Sequence, residues 1–502
     1  ITPHTSSGVR GERGGVRCEV HECGDLRESE TMRTTLISSA LFCGLASHAQ
    51  PIDTVLLQEQ SFTHLPFLYS VYSSLIDRND APYLYTAGLE YGFCTFDISD
   101  PSAPDQVLCS YPAVFSGLKP TNLFQQDGLL FISLGGFQGT TQRAGLAIFD
   151  VSDPANAVML DQWDSTAFTT GSAIVRVQDG YAYLGAMESG VVILDVSTPS
   201  DIHFVSVFQP DPTWPGIVNY APNARGMAMK GDTLFIAYDC GGIRAIDVSD
   251  KSAPVEIGHY VNPQQPPNTA DAYNNLRLVG DLCYVATDFC GFEVVDVSDP
   301  VNMQQLAWVN PWNCNGLSWF GSDGHANELI TAQHDSLLFI SGADSEVLIY
   351  DITAPAQPQL VGGLIHPNDS SVAWGLDVKD SLVVLNYINN SSVIFPPQPY
   401  YADDGGFQIL TWQEDISTSI HPEGSQDPSL LVLPNPTEGL TRIRRNTSEP
   451  SELIVRDALG RIRVRTRFSG QELTCDLSML APGCYLIEMN GARHSSTRII
   501  VH

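Results

Sequence analysis

Five side chains that can bind a ligand stand early in separate predicted strands. They are an amide, a guanidinium, a second amide, an imidazole and an indole: Asn122, Arg225, Asn275, His325 and Trp374. Groups of these types form hydrogen bonds and stacking contacts with small molecules and sugars. Their chemistry changes from one position to the next, although the segments around them repeat. The pattern is typical of a binding site built on a repeated scaffold, and loops without a function vary in the same way.

Metal chemistry has one weak candidate pair, Asp323 and His325, in a segment that reads Asp-Gly-His-Ala-Asn. The other histidines of the central region are scattered, and no C-x-x-C pair occurs. No nucleophile elbow, H-E-x-x-H, P-loop or dinucleotide fingerprint is present. A solvated loop with a hydrogen-bonded His is the alternative interpretation. The sequence predicts no catalytic residue and no required cofactor, and leaves room for a divalent cation.

The candidate residues lie among copies of a short motif: a hydrophobic residue, Asp, Val or Ile, then Ser or Thr. Two short apolar strands precede each copy, and the motif itself ends a third strand. A turn and a fourth strand follow it. A period near 50 residues indicates a repeat architecture, and four short strands per repeat are typical of a β-propeller blade. We interpret the repeated aspartates as turn residues rather than catalytic ones. The six are Asp97, Asp150, Asp195, Asp247, Asp296 and Asp351.

A seventh copy is altered. Residues 380–385 and 406–410 match the second and third strands, but Thr411 replaces the Asp and no fourth strand follows. We expect residues 52–59 to supply the missing outer strand, which would close the ring and remove its exposed edge. The fold predicted is therefore all-β, with a seven-bladed β-propeller followed by a small C-terminal β-sandwich.

The flanking segments have their own signatures. Met32-Arg33, an apolar run and Ser47-His48-Ala49 predict a signal peptide. The polar segment before the C-terminal β-pattern contains two prolines and suits a linker. The predicted organisation is 1–31 as non-native upstream translation, 32–49 as signal peptide, 50–412 as propeller, 413–428 as linker and 429–502 as C-terminal domain.

Net charge limits the possible partners, and the cysteines bear on the cellular compartment. Residues 50–428 carry a net charge of −34, whereas residues 429–502 carry +3. The acidic region would repel nucleic acid, so nucleic acid is excluded as a partner. Export permits disulfides. Cys94 and Cys109 flank one predicted turn, Cys475 and Cys484 flank another, and both pairs are candidate disulfides.

Two long insertions between repeats carry exposed-type aromatics, namely Trp214, Trp312 and Trp319. Indole rings in such loops stack on sugars or anchor a protein partner. They serve equally well to cap apolar blade edges. The sequence leaves these two interpretations open.

Two family resemblances follow from these motifs. Residues from about 80 to 412 resemble the LVIVD repeat of bacterial and archaeal surface proteins, because each signature strand runs into an Asp-Val-Ser-Asp-Pro type of turn. The C-terminal segment resembles the sorting domain of the type IX secretion system of Bacteroidota. The residues that carry this resemblance are Pro434-Asn435-Pro436, Gly460-Arg461, the Leu480-to-Tyr485 stretch and the basic final strand, where Arg498 replaces the usual Lys.

The resemblances imply a secreted or cell-surface protein that uses the type IX machinery and is then released or attached to surface lipopolysaccharide. Our leading hypothesis is a binding or adhesion module for a glycan or a protein. The alternative is a secreted, lactonase-like propeller hydrolase with a divalent cation in its channel. The sequence shows many acidic residues but no recognisable ligand constellation, which favours binding.

Overall fold

The computed structural model describes most of the chain as β-strands joined by short turns, in two compact units. The described residues of the first unit lie within 55–414 and those of the second within 431–501. The predicted signal peptide, most of the predicted linker and the upstream segment lie outside them. The described ranges are 55–66, 69–136, 142–217, 221–265, 272–312, 314, 324–342, 346–364, 372–389, 405–414, 431–433, 440–444, 451–456, 462–480, 483–490 and 494–501.

The first unit contains seven four-stranded antiparallel sheets, which we number in chain order. Strand β1 (Val55–His64) belongs to the last of them. Sheet 1 has β2 (Ser73–Ile76), β3 (Tyr83–Ala87), β4 (Phe93–Asp97) and β5 (Asp105–Ser110). Sheet 2 has β6 (Lys119–Gln126), β7 (Leu129–Gly135), β8 (Ala144–Asp150) and β9 (Val158–Ser165). Sheet 3 has β10 (Ile174–Gln178), β11 (Tyr181–Gly185), β12 (Val191–Asp195) and β13 (His203–Phe208).

The other four sheets repeat this plan. Sheet 4 has β14 (Gly226–Lys230), β15 (Thr233–Ala237), β16 (Ile243–Asp247) and β17 (Val255–Tyr260). Sheet 5 has β18 (Tyr273–Val279), β19 (Leu282–Thr287), β20 (Phe292–Asp296) and β21 (Gln304–Val309). Sheet 6 has β22 (Leu329–Ala332), β23 (Leu337–Ser341), β24 (Val347–Asp351) and β25 (Gln359–Leu364). Sheet 7 has β26 (Ala373–Lys379), β27 (Leu382–Tyr387), β28 (Gly406–Glu414) and β1.

The first strands of the sheets contact one another in a closed ring. The order is β2, β6, β10, β14, β18, β22 and β26, which returns to β2. A ring of four-stranded sheets around one axis is a β-propeller. The seven sheets support our count of seven blades, which we keep as a prediction. Four short 3₁₀ helices lie between the described strands, at Leu89–Tyr91, Pro112–Phe115, Pro154–Asn156 and Asp288–Cys290.

The repeated Asp motif forms the turn between the third and fourth strands. In sheet 2, Asp150 Oδ1 accepts hydrogen bonds from the backbone N–H of Ser152 at 2.9 Å and from its hydroxyl at 2.6 Å. These bonds hold the pKa of Asp150 below its usual range. The backbone N–H of Val151 donates to the carbonyl of Gly128, which ties this turn to the first hairpin. In all six copies the aspartate accepts a hydrogen bond from the backbone N–H two residues further along, so the motif stabilises the turn.

Strand β1 closes the ring as the outer strand of sheet 7. It pairs antiparallel with β28, from Val55 opposite Glu414 to His64 opposite Gly406. The hydroxyl of Ser61 donates to the Pro101 carbonyl of sheet 1 at 2.6 Å. Residues 55–59 thus take the place that the sequence predicted for 52–59, and the strand continues five residues further.

Two disulfides cross-link the propeller, one between paired strands and one at a loop. Cys94 of β4 is joined to Cys109 of β5, and these residues lie directly opposite each other in the ladder with Cα atoms 4.1 Å apart. A second disulfide, which the sequence did not suggest, joins Cys290 to Cys314. It tethers the loop after β21 to the turn before β20. The tether holds the start of an insertion that carries Trp312.

The C-terminal unit is a small β-sandwich. One sheet has the order β29 (Leu431–Leu433), β30 (Leu440–Arg444) and β33 (Glu472–Asp476). The other has β32 (Ile462–Phe468), β31 (Ser451–Arg456), β34 (Gly483–Asn490) and β35 (His494–Val501). Both sheets bury apolar side chains in one core, including Ile443, Leu453, Val455, Phe468 and Ile487. Cys475 is buried there, and the side chain of Cys484 lies outside the described residues, so that pairing stays a prediction.

Candidate binding site at the axial cavity

A cavity lies where the first strands of the sheets begin, and every one of the seven sheets contributes to its wall. Most of the lining groups are polar. Sheet by sheet from 1 to 7, the lining residues are Tyr72; Thr121 and Asn122; Ala173 and Ile174; Arg225; Asn274 and Asn275; Asn327 and Glu328; and Trp374.

Irregular pairing aims several of these side chains at the axis. The ladder between β6 and β7 shifts register around Thr121, and the ladder between β18 and β19 shifts around Asn274 and Asn275. The ladder between β26 and β27 shifts around Trp374. A bulge adds one residue to a strand and turns its side chain away from the regular alternation. Three first strands therefore present cavity-lining side chains at positions where the regular alternation is interrupted.

Arg225 carries the positive charge of the cavity wall. Its Nη2 donates to Asn327 Oδ1 at 3.4 Å, and its Nη1 lies 3.9 Å from Asp239 Oδ1. The guanidinium carbon is 5.9 Å from the ring centre of Trp374. Both contacts are long for a guanidinium, which can donate five hydrogen bonds, and Arg225 lines the cavity.

His325 supports this arrangement from behind. Its ring stacks on Trp374, with the centroids 5.7 Å apart and the planes 21° apart. Its Nε2 lies 2.8 Å from Asp288 Oδ1, and the side chain is only 2% exposed. His325 therefore positions the indole of Trp374 and does not line the cavity.

A buried acidic layer lies beside the cavity. Asp239 Oδ2 accepts hydrogen bonds from the backbone and the amide of Asn223, at 2.8 and 2.7 Å. Burial raises the pKa of Asp239 to about 6, against the opposing effect of Arg225. Asn274 donates to Asp288 Oδ1 at 2.6 Å, while its own Oδ1 meets no donor among the described residues. Because this oxygen is fully buried, it lies behind the cavity surface and is not offered to a ligand.

Glu328 supplies the one carboxylate of the lining. Its Oε1 accepts from Asn275 Nδ2 at 2.5 Å, and its backbone N–H donates to Ser341 Oγ at 2.9 Å. Burial raises the pKa of Glu328 to about 7, and the charge of Arg176 limits the rise. A carboxyl group with this pKa changes its charge near neutral pH, so it can either donate or accept a hydrogen bond there.

This raised pKa predicts a dependence of stability on pH. Glu328 binds a proton more tightly in the folded state, so its contribution to stability is complete below pH 4.5 and is lost as the pH rises through about 7. The share lost is at most about 3 kcal/mol. Glu328→Gln should remove this pH-dependent part of the free energy of unfolding, because glutamine does not titrate. Urea unfolding at pH 5 and pH 8 measures it as the difference between wild type and variant. An identical pH dependence in both proteins would contradict the assignment.

The size of the cavity limits its occupant. The volume of the cavity, taken as the space open to the centre of a water molecule, is about 30 Å³. A single water needs roughly 10–15 Å³ by this measure, so the space suits one or two hydroxyl-sized groups and not a whole drug-sized ligand. The cavity therefore fits a substituent of a larger molecule that rests at the mouth.

The structure brings Asn122, Arg225, Asn275 and Trp374 together at one cavity, with His325 behind them. Asp323, the other metal candidate, lies outside the described residues. The sequence patterns did not single out Thr121, Asn274 or Glu328, and they included Asn327 only as the end of the segment that holds Asp323 and His325. Their signal was their position, because each directly adjoins or lies close to a predicted residue at the start of a first strand.

The insertion tryptophans have structural contacts. Trp312 is 9% exposed in the core between sheets 5 and 6. The ring centre of Trp214 lies 4.7 Å from the guanidinium carbon of the fully buried Arg244 and 4.1 Å from the ring centre of His259, with the two ring planes tilted by 42°. Both rings therefore cap blade edges. Trp319 lies outside the described residues.

No group of three or more His, Cys, Asp or Glu side chains in the described ranges is arranged to hold a metal ion. In the same residues, no helix combines the length and the apolar character needed to cross a membrane.

Comparison with known proteins identifies both parts of the chain. Residues 431–502 match the secretion system C-terminal sorting domain. The LVIVD repeat matches residues 82–109, 140–164, 171–209, 221–262 and 273–309. The chain is thus a β-propeller protein of LVIVD repeats with a type IX sorting domain, which directs it to secretion and the cell surface.

No curated protein matches the chain. Among solved structures, the WD40 β-propeller domain of Doa1 is similar at 10% identity and a TM-score of 0.48, covering 72% of this chain and 98% of that chain. The RRP9 WD40 repeats are similar at 9% identity and a TM-score of 0.49, covering 71% of this chain and 100% of that one. The fold assignment rests on the ring of four-stranded sheets.

Proposed function

We propose that this chain is a secreted, surface-delivered binding protein whose propeller holds a glycan at the axial cavity. One observation carries the proposal: all seven sheets direct residues to one cavity, and these residues do not follow the repeat. The scaffold motif is nearly the same in each sheet, whereas the lining changes from amide to guanidinium to carboxyl to indole.

The balance of donors and acceptors favours a polyhydroxylated ligand. Arg225 is a donor only, the ionised carboxyl group of Glu328 is an acceptor, and the amides of the lining supply both. A sugar hydroxyl also donates and accepts, so it can satisfy both kinds of group at once. Tyr72 and Trp374 provide aromatic surface beside them, on which a sugar ring can pack. The small volume admits one or two hydroxyls, while the rest of the glycan lies at the mouth.

A glycan array probed with the full-length purified protein tests this proposal. Arg225→Met keeps the bulk of the side chain and removes its donors, so it should weaken binding by roughly 10- to 100-fold, as for the loss of a hydrogen bond to a charged group. Asn122→Ala is the second cavity variant. It should disturb the fold less than Arg225→Met does, because the two hydrogen bonds of the Asn122 side chain are long, at 3.3 and 3.5 Å.

Arg277→Met is the matched control, because Arg277 is an exposed residue of β18 outside the cavity lining. It should bind like the wild type. Binding that is unchanged in both Arg225→Met and Asn122→Ala would contradict the proposal. Failure of the wild type to bind any glycan on the array would also contradict it.

The second candidate function is hydrolysis, and Glu328 favours it. A carboxyl group with a pKa near 7 in a cavity can act as a general acid or base. The lactonase-like version also needs a divalent cation held by convergent oxygens. Elemental analysis of the purified full chain decides it: a stoichiometric metal, lost in Glu328→Gln, would favour hydrolysis over simple binding.

A further inference from the structure

One face of the sorting domain carries a row of arginines. Arg463, Arg465 and Arg467 alternate along β32 with inward-facing residues, of which Val464 and Phe468 are buried in the sandwich core. All three arginines are exposed, and the side chains of Arg465 and Arg467 are 53% and 86% exposed. Alternate residues of a strand share one face at a spacing of about 7 Å. We call these three residues the arginine face.

One acidic residue, Glu452, lies beside two of these arginines and balances only part of their charge. Glu452 of β31 lies opposite Arg467, and its Oε1 is 3.7 Å from Arg467 Nε and 3.9 Å from Arg465 Nε. Two guanidinium groups therefore share one carboxylate, at distances beyond a good hydrogen bond. The face retains positive charge and free donor capacity at Arg465 and Arg467.

The composition of this domain sharpens the contrast. Residues 429–502 contain ten arginines and no lysine, with a net charge of +3, while residues 50–428 carry −34. Arginine presents a planar fork that binds a carboxylate through two parallel hydrogen bonds, which lysine does not. The chemistry of the face thus fits carboxylates rather than a diffuse negative field.

The position of β32 adds a second kind of contact. It is an edge strand, paired only with β31 in the described part of its sheet. The backbone groups on its outer side are therefore available to another extended chain. A lipid surface would use the arginines but cannot pair with a backbone edge. A polypeptide with Asp and Glu side chains uses both.

We infer that the arginine face and the β32 edge form the surface by which the sorting domain docks on an acidic protein segment of the secretion machinery. This inference rests on the sorting role of residues 431–502. The partner adds an extended segment to β32, and its carboxylates pair with Arg465 and Arg467. The opposite sheet, with Arg442 and Arg444 on β30, is not part of this surface.

A simpler role for such charges is to keep an exposed edge from aggregating. Glutamate protects an edge as well as arginine does, because either charge repels a second copy. Charge reversal therefore separates the two roles. Charge reversal still protects the edge strand from aggregation, but it makes the surface repel an acidic partner.

The test is the export of the full chain in a type IX secreting host. Arg465→Glu/Arg467→Glu should lower the cell-surface and medium fraction at least about tenfold, because like charges across an interface cost several kcal/mol. The chain should accumulate in the periplasm. Arg442→Glu/Arg444→Glu is the matched control: it makes the same charge change and also removes a native ion pair, Arg444 with Glu472 at 2.6 Å, and it should export within about twofold of wild type. Thermal unfolding of both purified variants checks that the sandwich remains folded.

Normal export of the Arg465→Glu/Arg467→Glu chain would overturn the inference while leaving the sorting role intact. Equal loss in the control variant would also overturn it, because the effect would then follow net charge alone. Binding of wild type to phosphatidylglycerol vesicles, lost in the charge-reversed chain without any export defect, would assign the face to a lipid surface.

Discussion

Deletion of residues 429–502 should abolish delivery of the propeller to the cell surface. The segment carries the sorting domain, and it folds as a sandwich with its own core. Removal leaves the first unit with its seven sheets intact, so the truncated chain should fold and remain in the periplasm. Cell fractionation with an antibody against the propeller measures the distribution.

The matched control is the full chain with Met479→Ala. Met479 is 78% exposed in a turn of the same domain, so this change leaves the core untouched. The control should reach the surface as the wild type does. Surface delivery of the chain that lacks residues 429–502 would refute the sorting assignment for this protein.

Removal of β1 should prevent the propeller from folding as a stable monomer. Nine residue pairs join β1 to β28, and Val55 is buried among side chains of sheets 6 and 7. At about 1 kcal/mol per backbone hydrogen bond, the loss approaches the whole stability of a typical domain, about 5–15 kcal/mol. It also bares the edge of β28, which would then pair with other copies.

Deletion of residues 50–64 behind the signal peptide tests this expectation, and deletion of residues 50–54 is the control that keeps β1. Thermal unfolding and gel filtration should show aggregation or loss of the cooperative transition in the first protein only. A monomer with the wild-type melting temperature after loss of 50–64 would show that β1 does not close the ring.

The repeat made much of this fold predictable. The six Asp motifs marked the ends of third strands, and in every case the structure shows the aspartate accepting the backbone N–H two residues further along. Thr411 marked the sheet that lacks its own fourth strand, and β1 fills that place. Local turn chemistry repeated along a chain is visible in sequence because it needs only neighbouring residues.

The cavity was predictable in part. Asn122, Arg225, Asn275 and Trp374 stand where first strands begin, and position alone brought them to the axis. The role of His325 depends on a stacking contact with Trp374 and a hydrogen bond to Asp288, which come from different sheets. Bulges in three first strands decided which neighbours face inward. Neither feature leaves a local pattern that periodicity could reveal.

Tryptophan fluorescence tests most directly whether a ligand occupies the axial cavity. Trp374 lines the cavity, whereas Trp312 is buried elsewhere in the propeller. Titration of wild type with a glycan that binds on the array should change the emission in a saturable way. Trp374→Phe should lose that change, and Trp412→Phe, on the outer part of sheet 7, should keep it. An undiminished change in Trp374→Phe would place the ligand elsewhere and contradict the account.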